Sequence, residues 1–103
     1  MTTEFWIEKA WGDSVDNATM DDIKVAIRET LDMDDEHGAF WVGNSDNDYV
    51  MEMHKDLMLF FNTSDNPHDQ IAVRLNSWTE VENLYRLFLD NNYKQVEREI
   101  KQK

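Results

Sequence analysis

Four strand-length apolar runs crowd into residues 39–75 with only short polar gaps between them, and this spacing constrains the chain more than any other feature. Residues 39–42 (Ala-Phe-Trp-Val) are continuously apolar and read as a strand buried on both faces. Tyr49, Met51 and Met53 alternate with Val50, Glu52 and His54, the period of a strand with one covered face. Residues 57–61 are again almost wholly apolar, and Ile71, Val73 and Leu75 alternate with Ala72 and Arg74. The gaps are built for turning. Residues 44–48 hold only Asn, Ser and Asp, whose side chains bond their own backbone. His54-Lys55-Asp56 reads as a tight turn, and residues 63–69 form a polar loop with the only proline, Pro67. Runs this closely spaced predict a meander of antiparallel hairpins.

Helical signals flank this block. Thr19 is suited to cap a helix, with Asp22 three residues on and Asp21 in the first turn, where carboxylates favour the helix dipole. Met20, Ile23, Ile27 and Leu31 follow at helical spacing, which predicts a helix over 20–32. Ser77 and Glu80 form a second capping signature before the stripe of Val81, Leu84, Tyr85 and Phe88. Asp90-Asn91-Asn92 weakens or breaks that helix, and Tyr93, Val96 and Ile100 resume the stripe on a basic last segment. Ahead of these, residues 4–10 read as a first strand and residues 12–18 as a polar turn. The expected architecture is one α+β domain over residues 1–103, with the order β-α-β-β-β-β-α. Its antiparallel sheet has about five strands, and two helices pack on one face of it.

A folded core is supported by 41% hydrophobic and 12% aromatic residues, because acidic disordered chains are poor in aromatics. The absence of cysteine excludes disulfides, thiolate chemistry and cysteine-ligated zinc. The start of the chain lacks the basic and apolar regions of a signal peptide, and residues 57–61 are far short of a membrane span. The expectation is a cytoplasmic protein that does not engage a membrane.

The net charge is −12, from 22 Asp and Glu against 10 Lys and Arg. Residues 1–38 hold eleven acids and three bases, a net −8. Such a field repels nucleic acid and anionic membranes and attracts basic protein surfaces. Its densest cluster is Asp32, Asp34, Asp35 and Glu36, followed by His37. As a calcium loop the cluster fails: counted from Asp32, position 6 is His37 rather than glycine, and position 12 is Gly43 rather than glutamate. Acids at a helix C-terminus oppose the macrodipole, so their placement points to a binding use.

No catalytic residue is assigned. His37, His54 and His68 fall in expected loops or turns, without a nucleophile elbow. Gly12, Gly38 and Gly43 are isolated, so there is no phosphate-cradling loop. No metal or other cofactor is expected. The four tryptophans lie among acids rather than in a basic groove, which disfavours nucleic-acid stacking. Most aromatics read as core, with Trp11, beside Gly12-Asp13, the one expected to be exposed.

A Trp-bearing first strand and a capped helix come first, then Gly38-Ala39-Phe40-Trp41-Val42-Gly43 leading into Asp48-Tyr49-Val50-Met51-Glu52-Met53. In a small acidic cysteine-free chain this arrangement resembles immunity proteins of bacterial polymorphic toxin systems, including contact-dependent growth inhibition. The likeness covers roughly residues 4–75 as a pattern. It implies a cognate toxin domain, often a nuclease, bound directly in the cytosol. The charge agrees with this, because nuclease sites are basic in order to neutralise phosphates. The partner-binding residues expected on this reading are Asp32, Asp34, Asp35 and Glu36, with Asp46 and Asp48 in the following loop. Trp11 and Tyr49 are the candidate aromatic anchors. The alternatives are a nucleic-acid mimic aimed at a DNA-binding protein, an adaptor subunit in a larger assembly, and a small enzyme.

Overall fold

A computed structural model describes residues 4–34, 37–44, 49–62 and 70–102. The meander forms as the spacing demands, and the chain is α+β. Strands β1 (Phe5–Lys9), β2 (Ser14–Asp16), β3 (Ala39–Asn44), β4 (Val50–His54), β5 (Met58–Asn62) and β6 (Ile71–Arg74) make one sheet in the order β2-β1-β3-β4-β5-β6. Every neighbouring pair is antiparallel. The helices are α1 (Met20–Asp32), α2 (Trp78–Leu89) and α3 (Tyr93–Lys101).

The described residues hold six strands and three helices where about five strands and two helices are expected, so the outline agrees and the detail differs. The extra strand, β2, folds back on β1 through a turn in which Gly12 takes φ 108°. Only Val15 of its three residues is apolar, so no alternation marks it. The extra helix comes from a full break at residues 90–92, where Asn91 adopts the left-handed conformation (φ 63°). Asparagine tolerates that region because its short polar side chain bonds locally. Here the Tyr93 hydroxyl donates to Asn91 Oδ1 and accepts from Asn44 Nδ2, both at 2.7 Å, which pins the start of α3 to β3.

Helix α1 begins and ends where its signals place it. Thr19 Oγ1 accepts from the Asp22 N–H, and the Asp22 carboxylate accepts from the Thr19 N–H at 2.9 Å, a complete capping box. Ser77 caps α2 through the Glu80 N–H, while the Glu80 carboxylate accepts from the Asn76 N–H.

Alternation sorts each strand into two faces. One row crosses all six strands as Val15, Ile7, Val42, Met51, Phe61 and Ile71. These side chains pack against Ile23, Ala26 and Ile27 of α1, Val81, Leu84, Tyr85 and Phe88 of α2, and Val96 and Ile100 of α3, in one apolar cluster. All three helices therefore cover the same face, as expected of a one-sided α+β sheet. Lys9 also points this way, and its ammonium pairs with Glu29 of α1 at 2.5 Å. No described helix is long and apolar enough to cross a membrane.

Tyr85 is completely buried, stacked on Phe40 with ring centroids 5.7 Å apart, and its hydroxyl donates to the Met51 carbonyl at 3.3 Å. Burial, and secondarily the Glu52 charge, holds its pKa well above the ordinary tyrosine value of 10.0. The folded chain keeps a proton that the unfolded chain releases above about pH 10. The stabilisation is whole below that pH and is lost as pH rises through the folded-state pKa. Unfolding free energies from urea titrations should fall by up to about 1.4 kcal/mol per pH unit above about pH 10. Tyr85→Phe should abolish that share of the slope; an unchanged slope would assign it to other groups.

Candidate functional site

Among the described residues no helix lies over the second face of the sheet. Alternation places there Trp6 and Glu8 of β1, Ser14 and Asp16 of β2, and Trp41 and Gly43 of β3. Val50, Glu52 and His54 of β4, Met58 and Phe60 of β5, and Ala72 and Arg74 of β6 complete it. Two cross-strand rows result. The first runs Ser14, Glu8, Trp41, Glu52, Phe60, Ala72, and the second runs Asp16, Trp6, Gly43, Val50, Asn62. Opposed side chains on one face lie about 4.5–5.5 Å apart at Cβ, so each row is a continuous surface.

Direct contacts order this surface. Trp41 Nε1 donates to Glu52 Oε1 at 2.8 Å, and His54 Nε2 meets Glu52 Oε2 at 2.5 Å. The His54 ring stands edge-on to Phe60, with centroids 5.3 Å apart and planes at 76°. Glu52 and His54 keep 23% and 34% of their side-chain surface exposed, so the group is ordered yet reachable. The Trp6 indole lies against Gly43, with no room for a β-carbon there. Beside Trp6 a recess of about 470 Å³ is lined by Glu4, Phe5, Trp6, Asp16 and Asn17. Electronegative indole faces next to carboxylates suit a cation, above all a planar one that can stack and hydrogen-bond at once.

The residues expected to bind a partner are distributed differently. Asp32 is exposed at the C-terminal end of α1, on the helix side of the sheet. Asp34 follows it, also exposed. It accepts from the His37 N–H at 2.8 Å and meets His37 Nδ1 at 2.9 Å, and the backbone hydrogen bond first, then the ring, hold its carboxyl below the usual carboxylate range. Asp35, Glu36, Asp46 and Asp48 lie outside the described residues, as does His68. Tyr49 is stacked on Tyr93 at 4.4 Å and on Phe61 at 5.8 Å, partly buried against the helix-side core. Trp11 sits in the β1–β2 turn, half-buried rather than exposed, with Lys9 Nζ 5.8 Å from its ring centroid.

Trp6, Trp41, Glu52 and His54 were not among the expected site residues. Read for hydrophobicity alone, Trp41 belongs to a run buried on both faces. Read for parity, Trp41 falls opposite Phe40 and Val42, and it is half-buried where they are fully buried. Among the described residues no three His, Asp or Glu side chains converge as metal ligands would. No family model, no curated protein and no solved structure matches this chain.

Proposed function

We propose that this protein binds a basic protein partner directly and thereby neutralises it, as a cytosolic immunity protein does a toxin domain with a cationic, nuclease-like active site. The observation that carries this reading is the charge: −12 over 103 residues, with −8 in the first 38. An acidic rigid surface gains on-rate from long-range attraction, which raises association from about 10⁵–10⁶ toward 10⁸–10⁹ M⁻¹s⁻¹ at low salt. The attraction is screened over about 30 Å at 0.01 M salt and about 3 Å at 1 M. For an enzyme reading the described residues offer the Glu52–His54 pair, which does not line the recess beside Trp6, and a nucleic-acid mimic would need its carboxylates spread more evenly along the chain.

The test is capture of partners by the tagged protein from its native host, eluted in salt steps. The expected result is one stoichiometric basic protein that kills cells when expressed alone and is harmless when co-expressed with this chain. Several DNA-associated proteins released together by moderate salt would replace the reading with that of a mimic. On the isolated complex, reversing charge at Asp32 and Asp34 should slow association about tenfold, because both carboxylates are exposed to solvent. Association measured by stopped flow checks this, and an unchanged rate would exclude the end of α1 from the path of approach.

A further inference from the structure

We propose that the sheet face opposite the three described helices is the docking surface, and that its occupant is an arginine-bearing segment of a basic protein. The guanidinium groups stack on Trp6 and Trp41 and pair with the carboxylates beside them, Glu8, Asp16 and Glu52. This rests on the reading above and deepens it by naming the surface and the chemistry of what it holds.

Charge complementarity selects the occupant. Among the described residues the face carries Glu8, Asp16 and Glu52 against one arginine, Arg74, itself drawn to Asp56 at 3.7 Å, and His54, which meets Glu52. A second copy of the chain would bring another −12 onto the same carboxylates, and phosphates would be repelled by them. A cationic segment is the class that the field attracts.

The aromatic geometry narrows the cation to arginine. The Trp41 indole is held by its bond to Glu52, so a ring face and a carboxylate are presented side by side before any partner arrives. Glu52 spends one lone pair of each oxygen on Trp41 and His54 and retains acceptor capacity on both. Lysine is a point charge that meets a carboxylate or an indole face, with no plane to take both at once. Arginine can satisfy the carboxylate with its planar fork and the indole with its face. Trp6 repeats the arrangement one strand away, with its ring fixed on Gly43 and with Glu4 and Asp16 lining the same recess. Ordered aromatics set among hydrogen-bonding groups are also the residues that dominate interface energies.

The experiment uses the whole chain labelled with ¹⁵N and three probes: octa-arginine, octa-lysine and oligothymidylate. The indole N–H signals of Trp6 and Trp41 are expected to shift with octa-arginine, while those of Trp11 and Trp78 stay. Octa-lysine should bind about threefold to tenfold more weakly, and oligothymidylate not at all. Trp41→Ala should weaken octa-arginine about tenfold, and Glu52→Gln by a smaller factor. Glu8→Lys, at an exposed site opposite Trp41, should weaken it too without a packing change, which keeps the test decisive if Trp41→Ala unfolds. Shifts confined to Asp32 and Asp34 would overturn the sheet face while leaving an acidic binding protein intact. Equal affinity for both peptides would overturn the arginine assignment. Binding of oligothymidylate, or a doubled mass with Trp6 and Trp41 shifted, would overturn the partner class.

Discussion

Replacing Phe88 with alanine is expected to remove about 3–5 kcal/mol of stability, enough to leave much of the chain unfolded at ordinary temperature. Phe88 is fully buried on the last turn of α2. Its ring meets Phe5 of β1 at 5.6 Å, Tyr93 of α3 at 5.3 Å and Phe61 of β5 at 6.4 Å. One side chain thus ties two distant strands and two helices, immediately before the break that separates the helices. Deleting it removes the transfer energy of the ring and leaves a cavity whose walls are other large rings, which cannot easily collapse inward. Each lost edge-on or tilted pair adds about 0.5–1.5 kcal/mol to the area term. The midpoint of thermal unfolding should drop by about 4–8 °C per kcal/mol for a domain of this size. Phe60→Ala is the matched control: the same residue type on the neighbouring position of β5, half-buried on the open face. It should cost markedly less. Urea titrations of the two variants settle the comparison, and equal losses would mean that the two sheet faces are covered alike.

That contrast between Phe60 and Phe88 also marks what could be read from the sequence. Helix α1 was legible because its signals are local: Thr19 and Asp22 cap it and Ile23 and Ile27 repeat on one face. The covered side of β4 was legible because Met51 and Met53 alternate with polar neighbours. The antiparallel meander followed from the gaps. Strand β2 was not legible, because a three-residue strand with one apolar side chain has no period to detect. The extent of the break after α2 depends on Asn91 entering the left-handed region and on a tyrosine reaching back to β3, neither of which spacing reveals.

The open-face surface was missed for a different reason. Glu8, Trp41, Glu52 and Phe60 are scattered over 53 sequence positions and meet only through register. Register depends on which hairpin turns form, and a slip of one residue would send every one of these side chains to the other face. Contiguous charge draws the eye to residues 32–36, whereas the cross-strand rows gather residues that no linear window contains. The available signal was parity. Trp6 lies between Glu4 and Glu8 in one two-residue period, and Glu52 lies between Val50 and His54 in another. An aromatic or apolar residue sharing its face with acids is suited to a surface that meets something.

Gly43→Ala should test that surface through its backbone alone. A β-carbon at this position would lie 2.6 Å from Trp6 Cε2 and 2.8 Å from Cη2, with Cζ2 nearer still. Real contacts do not come so close, so the indole must leave the strand, at an expected cost of about 1–3 kcal/mol. In a Trp6→Ala background the obstacle is gone. There Gly43→Ala should be neutral or slightly stabilising, because alanine loses less backbone freedom than glycine on entering a strand. The double-mutant cycle therefore isolates one contact, and its coupling should match most of the single-mutant cost. No charge changes anywhere in this cycle, so long-range attraction to a basic partner is preserved while the ring that would hold an arginine is displaced. Association should stay fast and dissociation should speed up. If both rates are unchanged with the indole displaced, Trp6 contributes nothing to holding the partner, and Trp41 with Glu52 must do so without it.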